Sequence, residues 1–259
     1  MHLEPAYPTE GHAHAGERVV EFFSSRPEVD AVLMVGSCAR GRGAQDIDFA
    51  MLVQPDVPQR DKAALESDWA RLYESEAVFA SVRRIGPFAR VDVDFFDGRF
   101  APEGRSWTSG PEAFELEIGN YVAYSVPLWE RNDRFQTLRE RWLPYYGEDL
   151  RRERLADVLK YCRNNLDHVP WFASRGLPFQ AFHRLYDAYR EFLQGLFIAR
   201  RRYPIAYDKW IREQVVEILG LPELYPVLVD LLQIRRLEGD EIVTKAETLR
   251  ALVEEVVVR

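Results

Sequence analysis

Residues 29–53 read VDAVLMVGSCARGRGAQDIDFAMLV, and the reading of the whole fold starts inside them. Ala31 to Val35 is an apolar, β-branched run of strand length, ended by Gly36-Ser37. Ile47 to Val53 is a second apolar run, entered through Asp46 and Asp48. Residues two apart on a strand point to one face, so Asp46 and Asp48 project together while Ile47 and Phe49 pack the other way. Two like charges that close at a strand's mouth call for a cation.

Further along, Val91, Val93 and Phe95 alternate with Asp92, Asp94 and Phe96, which predicts a third strand over 90–96 closed by Asp97-Gly98. The alternation puts Asp92 and Asp94 on one face. With this strand beside the one bearing Asp46 and Asp48, three or four carboxylates converge at one sheet edge, an oxygen-only cluster suited to Mg²⁺. The turn at Gly36-Ser37 supplies the complementary half. A strand that ends in Gly-Ser before a short helix leaves backbone N–H groups aimed outward, in a dipole that favours an anion. Small residues let a phosphate approach the backbone, Ser37 offers a hydroxyl, and Arg40 or Arg42 offers a guanidinium from the following loop. A metal held by carboxylates and a phosphate-binding turn would then grip one triphosphate.

Gly36-Ser37-Cys38-Ala39-Arg40-Gly41, followed by Asp46-Ile47-Asp48 and then Val91-Asp92-Val93, resembles the nucleotidyltransferase superfamily typified by DNA polymerase β. The pattern looks most like the small-molecule branch, the aminoglycoside and minimal nucleotidyltransferases. It departs from it in carrying Gln45 where a serine usually precedes the Asp-x-Asp, and in a slightly short loop from Ser37 to Asp46. The resemblance implies an α+β fold, with an N-terminal mixed-sheet nucleotidyltransferase domain over 1–135 and an all-helical C-terminal domain over 136–259 that closes over the nucleotide. It implies Mg²⁺-dependent transfer of a nucleoside monophosphate, AMP from ATP, onto a hydroxyl of a small molecule, with an aminoglycoside-like acceptor favoured and a protein hydroxyl as the second choice. A nucleotide-binding pseudoenzyme is the further alternative. Asp46, Asp48 and Asp92 carry over as metal ligands, and Gly36, Ser37 and Arg40 as nucleotide contacts. Asp94 either completes the cluster, acts as the base that takes the acceptor's proton, or keeps an exposed strand face wet.

Around these motifs the chain reads as helix over Glu17 to Ser25 and Asp61 to Phe79, a polar loop near the site over Gly98 to Gly110, and helix from Pro111 to Tyr124. Val126 to Glu130 reads as a short strand before a helix at Asp133 to Trp142. Glu115 and Glu117 read as solvated helix residues, with an acceptor-side base from this region as the alternative. Beyond Gly147 everything reads helical, over Glu148 to Asp167, Pro178 to Arg202, Asp208 to Leu219, Pro222 to Gln233 and Asp240 to Val258. Asp208 is placed to cap a helix with Lys209 in its first turn, where an ammonium is unfavourable without an anion nearby. By resemblance Lys209 is then a phosphate contact, against the plainer reading of a lysine in solvent. One competing motif, Arg163 through His168, resembles the Arg and His of HEPN ribonucleases. Residues five apart on a helix lie about 140° apart, however, and His168 before Pro170 reads as a helix C-terminal residue.

Bulk properties bound these readings. With 259 residues, 47% of them hydrophobic, the chain can bury a real core. A net charge of −8 argues against a protein that coats nucleic acid. The charge is uneven: 139–212 holds fifteen Lys/Arg against nine Asp/Glu, a balance that suits a polyanionic ligand or simply solvated helix faces. Cys38 and Cys162 make no disulfide framework, which fits a cytoplasmic protein, and no leader or membrane-spanning run is legible. Partners are expected to be a nucleoside triphosphate and a small hydroxylated acceptor, with nucleic acid and membrane disfavoured and a homodimer left open. The first residues, with His12 and His14, read as a frayed leader lacking metal-ligand spacing.

Overall fold

A computed structural model describes residues 3–43, 45–107 and 110–258. Positions 108–109, in the loop expected near the site, lie outside the described residues. In chain order the elements are α1 (Glu10–Ser24), β1 (Val29–Val35), the single turn α2 (Gly36–Ala39), β2 (Ile47–Val53), α3 (Gln59–Ser75), α4 (Ala77–Arg83), β3 (Val91–Phe96), α5 (Phe114–Ile118), β4 (Val126–Glu130), α6 (Arg134–Trp142), α7 (Glu148–Ser174), α8 (Pro178–Ala199), α9 (Leu224–Leu231) and α10 (Glu241–Leu252). The chain forms two compact units. One comprises Met1–Phe100 with Glu117–Pro144, the other Ala101–Leu116 with Tyr145–Arg259. The first carries a four-stranded sheet and the second is helical, so the fold class is α+β. Among the described residues, no helix is long and apolar enough to cross a membrane.

In the first unit the strand order is β3-β2-β1-β4. β1 runs antiparallel to β2 and β4, while β3 is parallel to β2, which makes the sheet mixed. Val32, Met34, Phe49 and Met51 alternate onto one face, where Phe23 of α1, Trp69 of α3 and Phe79 of α4 complete an apolar cluster. Ala31, Leu33, Ala50 and Leu52 take the other face and are fully buried. There α6 lies close: a Cβ on Gly98 would sit 2.8 Å from Leu138 and 3.5 Å from Leu52.

Several boundaries differ from the sequence reading. α1 starts at Glu10, seven residues ahead of the expected helix, because Thr9 caps it and His12, Ala15 and Gly16 are buried beside Val19. The single helix expected over 61–79 breaks at Glu76, which is extended (φ −90°, ψ 137°) and gripped by the Arg18 guanidinium at 2.7–3.0 Å. The helix expected over 111–124 becomes α5 followed by a π-helical turn, Gly119–Ala123, a form that often marks a functional site.

A buried carboxylate closes the far end of this sheet. Asp30, 3% exposed, accepts from Asn132 Nδ2 at 2.9 Å and Arg134 Nη1 at 2.7 Å, and Arg134 also donates to the carbonyls of Val53 and Asp97. Arg134→Leu would strand Asp30 with a single neutral donor. The expected loss is about 2–3 kcal/mol, the scale of a hydrogen-bonded charge losing its partner, read as a lower urea midpoint for the first unit.

In the second unit α7 and α8 form an antiparallel pair on which α10 packs, around Leu166, Val169, Leu185, Phe192, Leu196 and Leu249. α7 continues through Pro170 to Ser174, beyond the expected stop at Asp167, because Val169 and Phe172 on either side are buried in that core. His168 is therefore not at a helix C-terminus. Its Nδ1 lies 2.7 Å from the Asn164 carbonyl, and Arg163 is paired with Glu254 at 2.7 Å. Glu115 is not solvated either. It is fully buried, bidentate to Arg154 at 2.9 and 2.7 Å, and it accepts from Tyr146 and Gln194, while Arg154 also pairs with Glu112.

Candidate metal centre

β2 and β3 lie side by side with Asp48 opposite Asp92 and Ala50 opposite Asp94. Parallel neighbours in register point their side chains the same way, so Asp48 and Asp92 share a face at the start of both strands. Asp46, just ahead of β2, joins them: each of Asp46, Asp48 and Asp92 places a carboxylate oxygen within 4.8 Å of the other two, and all three are half-buried. Ligand oxygens around one Mg²⁺ sit about 2.1 Å from it, hence at most about 4.2 Å apart. Rotamer shifts of a few tenths of an ångström would bring this oxygen set onto one hard divalent cation, so the donor chemistry fits Mg²⁺ or Mn²⁺.

The turn ahead of β2 is built around these carboxylates. Gly36 has φ +66°, and a Cβ there would lie 2.2 Å from Asp48 Oδ2. Only glycine lets the backbone leave β1 this close to the carboxylate. Ser37 follows, half-buried, in a turn too short to satisfy its own first amides. Arg40 is 9% exposed and donates from Nη1 to the Gly36 carbonyl at 2.7 Å, which braces the turn. Cys38 Sγ donates to the Asp46 carbonyl at 3.3 Å. Burial, with the charges of Asp48 and Asp46, pushes the Cys38 thiol up to about 11, so it stays a thiol and a donor.

Asp94 stands one alternation further along β3, set apart from the three clustered carboxylates. Its carboxylate accepts from the Tyr121 phenol. Partial desolvation first, and the charge of Asp92 second, push the Asp94 carboxyl above its ordinary value, and the Tyr121 hydrogen bond pulls it back. Tyr121 lies in the π-helical turn Gly119–Ala123 and stacks on Phe96 at 4.7 Å. No motif pointed to it; its one signal was a place four residues after Glu117. Glu117 and Tyr121 line a cavity of about 380 Å³ with Lys62, Glu66, Phe96 and Asp97. On the outer side Arg90 Nε donates to Asp92 at 2.6 Å, an exposed pair of small energetic weight.

Of the residues expected at the site, Gly36, Ser37, Arg40, Asp46, Asp48, Asp92 and Asp94 all belong to the first unit. Lys209 belongs to the second. It is exposed in a bend ahead of a helix that starts at Ile211, not in that helix's first turn. The reason is Gln214, which is buried and bonds the Ile205 amide and the carbonyls of Ala206 and Lys209 at 2.7–2.9 Å, while Trp210 turns the chain at φ +59°.

No protein-family model and no curated protein sequence matches the chain. Among solved structures it is similar to a nucleotidyltransferase-like protein from Exiguobacterium sibiricum, at 14% identity and a TM-score of 0.46, over 93% of this chain and 75% of that one.

Proposed function

We propose that the chain is a divalent-metal-dependent nucleotidyltransferase that moves a nucleoside monophosphate, AMP from ATP, onto a hydroxyl of a small molecule. The observation that carries this reading is the glycine turn backed against Asp48, within a cluster of three carboxylates on two adjoining strands. Asp46, Asp48 and Asp92 would hold the metal, which when bound supplies positive charge to the triphosphate and Lewis acidity at the reacting phosphorus. Gly36 and Ser37 receive the triphosphate at the turn, and Arg40 keeps the turn in shape from behind. The acceptor oxygen forms a bond to the α-phosphorus as the bond to the pyrophosphate oxygen breaks. The hydroxyl proton passes to Asp94, and pyrophosphate leaves. A carboxyl held above its ordinary range is better matched to that proton transfer near neutral pH. The cavity at Tyr121, Glu117 and Glu66 has room for a small molecule, which favours a small acceptor over a protein surface.

The test is incubation with α-labelled nucleoside triphosphates, Mg²⁺ and panels of hydroxylated metabolites and aminoglycosides, followed by separation of labelled products. Failure to release pyrophosphate with an acceptor of any class would count against it. Tyr121→Phe supplies a second check through pH. Losing the phenol's hydrogen bond raises the Asp94 pKa, and the base works only when ionised, so the acid limb of kcat should move to higher pH while the rate on the alkaline plateau changes less. An acid limb that stays in place would remove Asp94 from the base role.

A further inference from the structure

The segment read from sequence as a frayed leader runs behind the loop that carries Asp46. The Ala6 amide donates to the Cys38 carbonyl at 3.0 Å. A Cβ on Gly41 would lie 2.7 Å from the Glu4 carbonyl oxygen, and one on Gly43 would lie 2.5 Å from Cys38 Sγ and 3.1 Å from the Ala6 carbonyl oxygen. Arm and loop thus meet backbone to backbone at two glycines. At the end of the arm, Thr9 Oγ1 is 2.8 Å from His12 Nδ1, and His12 Nε2 is 2.9 Å from the Gln45 carbonyl. A carbonyl only accepts, so Nε2 carries a proton and donates to Gln45, while Nδ1 shares a hydrogen bond with the Thr9 hydroxyl. That hydroxyl in turn caps α1 by accepting the His12 amide at 3.4 Å. His12 is fully buried, and both ring nitrogens are engaged. Gln45 adjoins Asp46, whose own carbonyl accepts from Cys38 Sγ at 3.3 Å. Two successive carbonyls of the metal loop are therefore held from inside by two buried side chains.

We infer that His12 is a positioning residue for the metal centre: with Thr9 and the arm over residues 4–9, it fixes the backbone at Gln45-Asp46 so that the Asp46 carboxylate meets Asp48 and Asp92. A buried histidine aimed at a loop carbonyl 33 residues away contributes little to a core that a leucine would fill as well. Its two polar atoms are explained by the loop they hold. A loop left free of the clamp has to be ordered by the metal itself, and that ordering is subtracted from affinity. Partners one shell out from a metal's ligands are worth about 10–100-fold in affinity. The consequence for metal binding rests on the nucleotidyltransferase reading, whereas the clamp on the loop stands apart from it.

The experiment compares the wild type, His12→Leu, His12→Gln and Thr9→Val. Amide hydrogen exchange is read on metal-free protein at residues 41–48 and, as a reference, at 185–196; Mn²⁺ affinity is read by calorimetry, and kcat at saturating Mg²⁺. His12→Leu is expected to speed exchange at least about tenfold at 41–48 and not at 185–196, and to weaken Mn²⁺ binding about 10–100-fold. Its kcat at saturating metal should fall far less. Glutamine keeps a donor near the position of Nε2, so His12→Gln should restore exchange and affinity to within about threefold of the wild type. Thr9→Val, which keeps the ring and frees Nδ1, should move both readouts in the same direction by a smaller factor, and it decides the matter should the leucine variant not fold. Unchanged exchange at 41–48 in His12→Leu, or in Thr9→Val where the leucine variant does not fold, or no rescue by glutamine, would overturn the inference. A wild type that binds no Mn²⁺ would instead sink the nucleotidyltransferase reading, with the exchange data still deciding whether His12 clamps the loop.

Discussion

Asp48→Asn should leave the fold intact and lower nucleotidyl transfer by at least about a thousandfold. Asparagine has the shape of aspartate and one neutral oxygen, so packing at β2 is kept while a charge is removed from the centre of the three-carboxylate cluster. Charge stabilisation by a catalytic metal is worth several kcal/mol, and about 4 kcal/mol corresponds to three powers of ten in rate. The effect on stability has the opposite sign. Without metal, Asp46, Asp48 and Asp92 repel one another at separations within 4.8 Å, so neutralising the middle one should hold or raise the melting temperature of the metal-free protein. With Mg²⁺ or Mn²⁺ added the order reverses, because a ligand that binds only the folded state raises the wild-type midpoint and the variant has lost the site. A variant that keeps a wild-type metal shift, and wild-type turnover, would remove Asp48 from the centre.

Much of this centre was legible in the sequence, and the legible part obeys short-range rules. Strands β2 and β4 begin and end where the sequence reading places them, at Ile47–Val53 and Val126–Glu130. Period-two alternation put Asp92 and Asp94 on one face, and the parallel register of β2 and β3 then sets Asp92 opposite Asp48. What stayed hidden depends on contacts distant in sequence. His12 is uninformative in a leader rich in small residues until Gln45, 33 residues away, is known to face it. Glu115 reads as a solvated helix residue until Arg154, 39 residues on, is seen to bury it. Tyr121 carries no pattern of its own, and its place beside Asp94 comes from a π-helical turn that the run from Pro111 to Tyr124 disguises as one regular helix. The misplaced start at Asp208 has a nearer origin: local capping rules favoured it, and the buried side chain of Gln214, bonded five to nine residues back, overrode them.

Gly36→Ala should be the most damaging single-methyl change in the first unit. At φ +66° an alanine costs about 1 kcal/mol or more from backbone strain alone. The added Cβ would also lie 2.2 Å from Asp48 Oδ2, 3.0 Å from its Cγ and 3.2 Å from its Cβ. No rotamer of a methyl group relieves that contact, so either the turn withdraws or the Asp48 carboxylate swings away from Asp46 and Asp92. Either response separates the Gly36-Ser37 turn from the clustered carboxylates, and on the proposed function transfer should drop at least about a hundredfold even where the protein still folds, since a displacement of about 1 Å at a catalytic centre can cost that much. A double-mutant cycle isolates the cause. In an Asp48→Ala background the clashing oxygen and Cγ are gone, so Gly36→Ala should cost measurably less stability there than in the wild type, with a coupling within about 0.5–3 kcal/mol. Equal costs in the two backgrounds would place the whole effect in the backbone strain at Gly36 and leave its closeness to Asp48 without consequence.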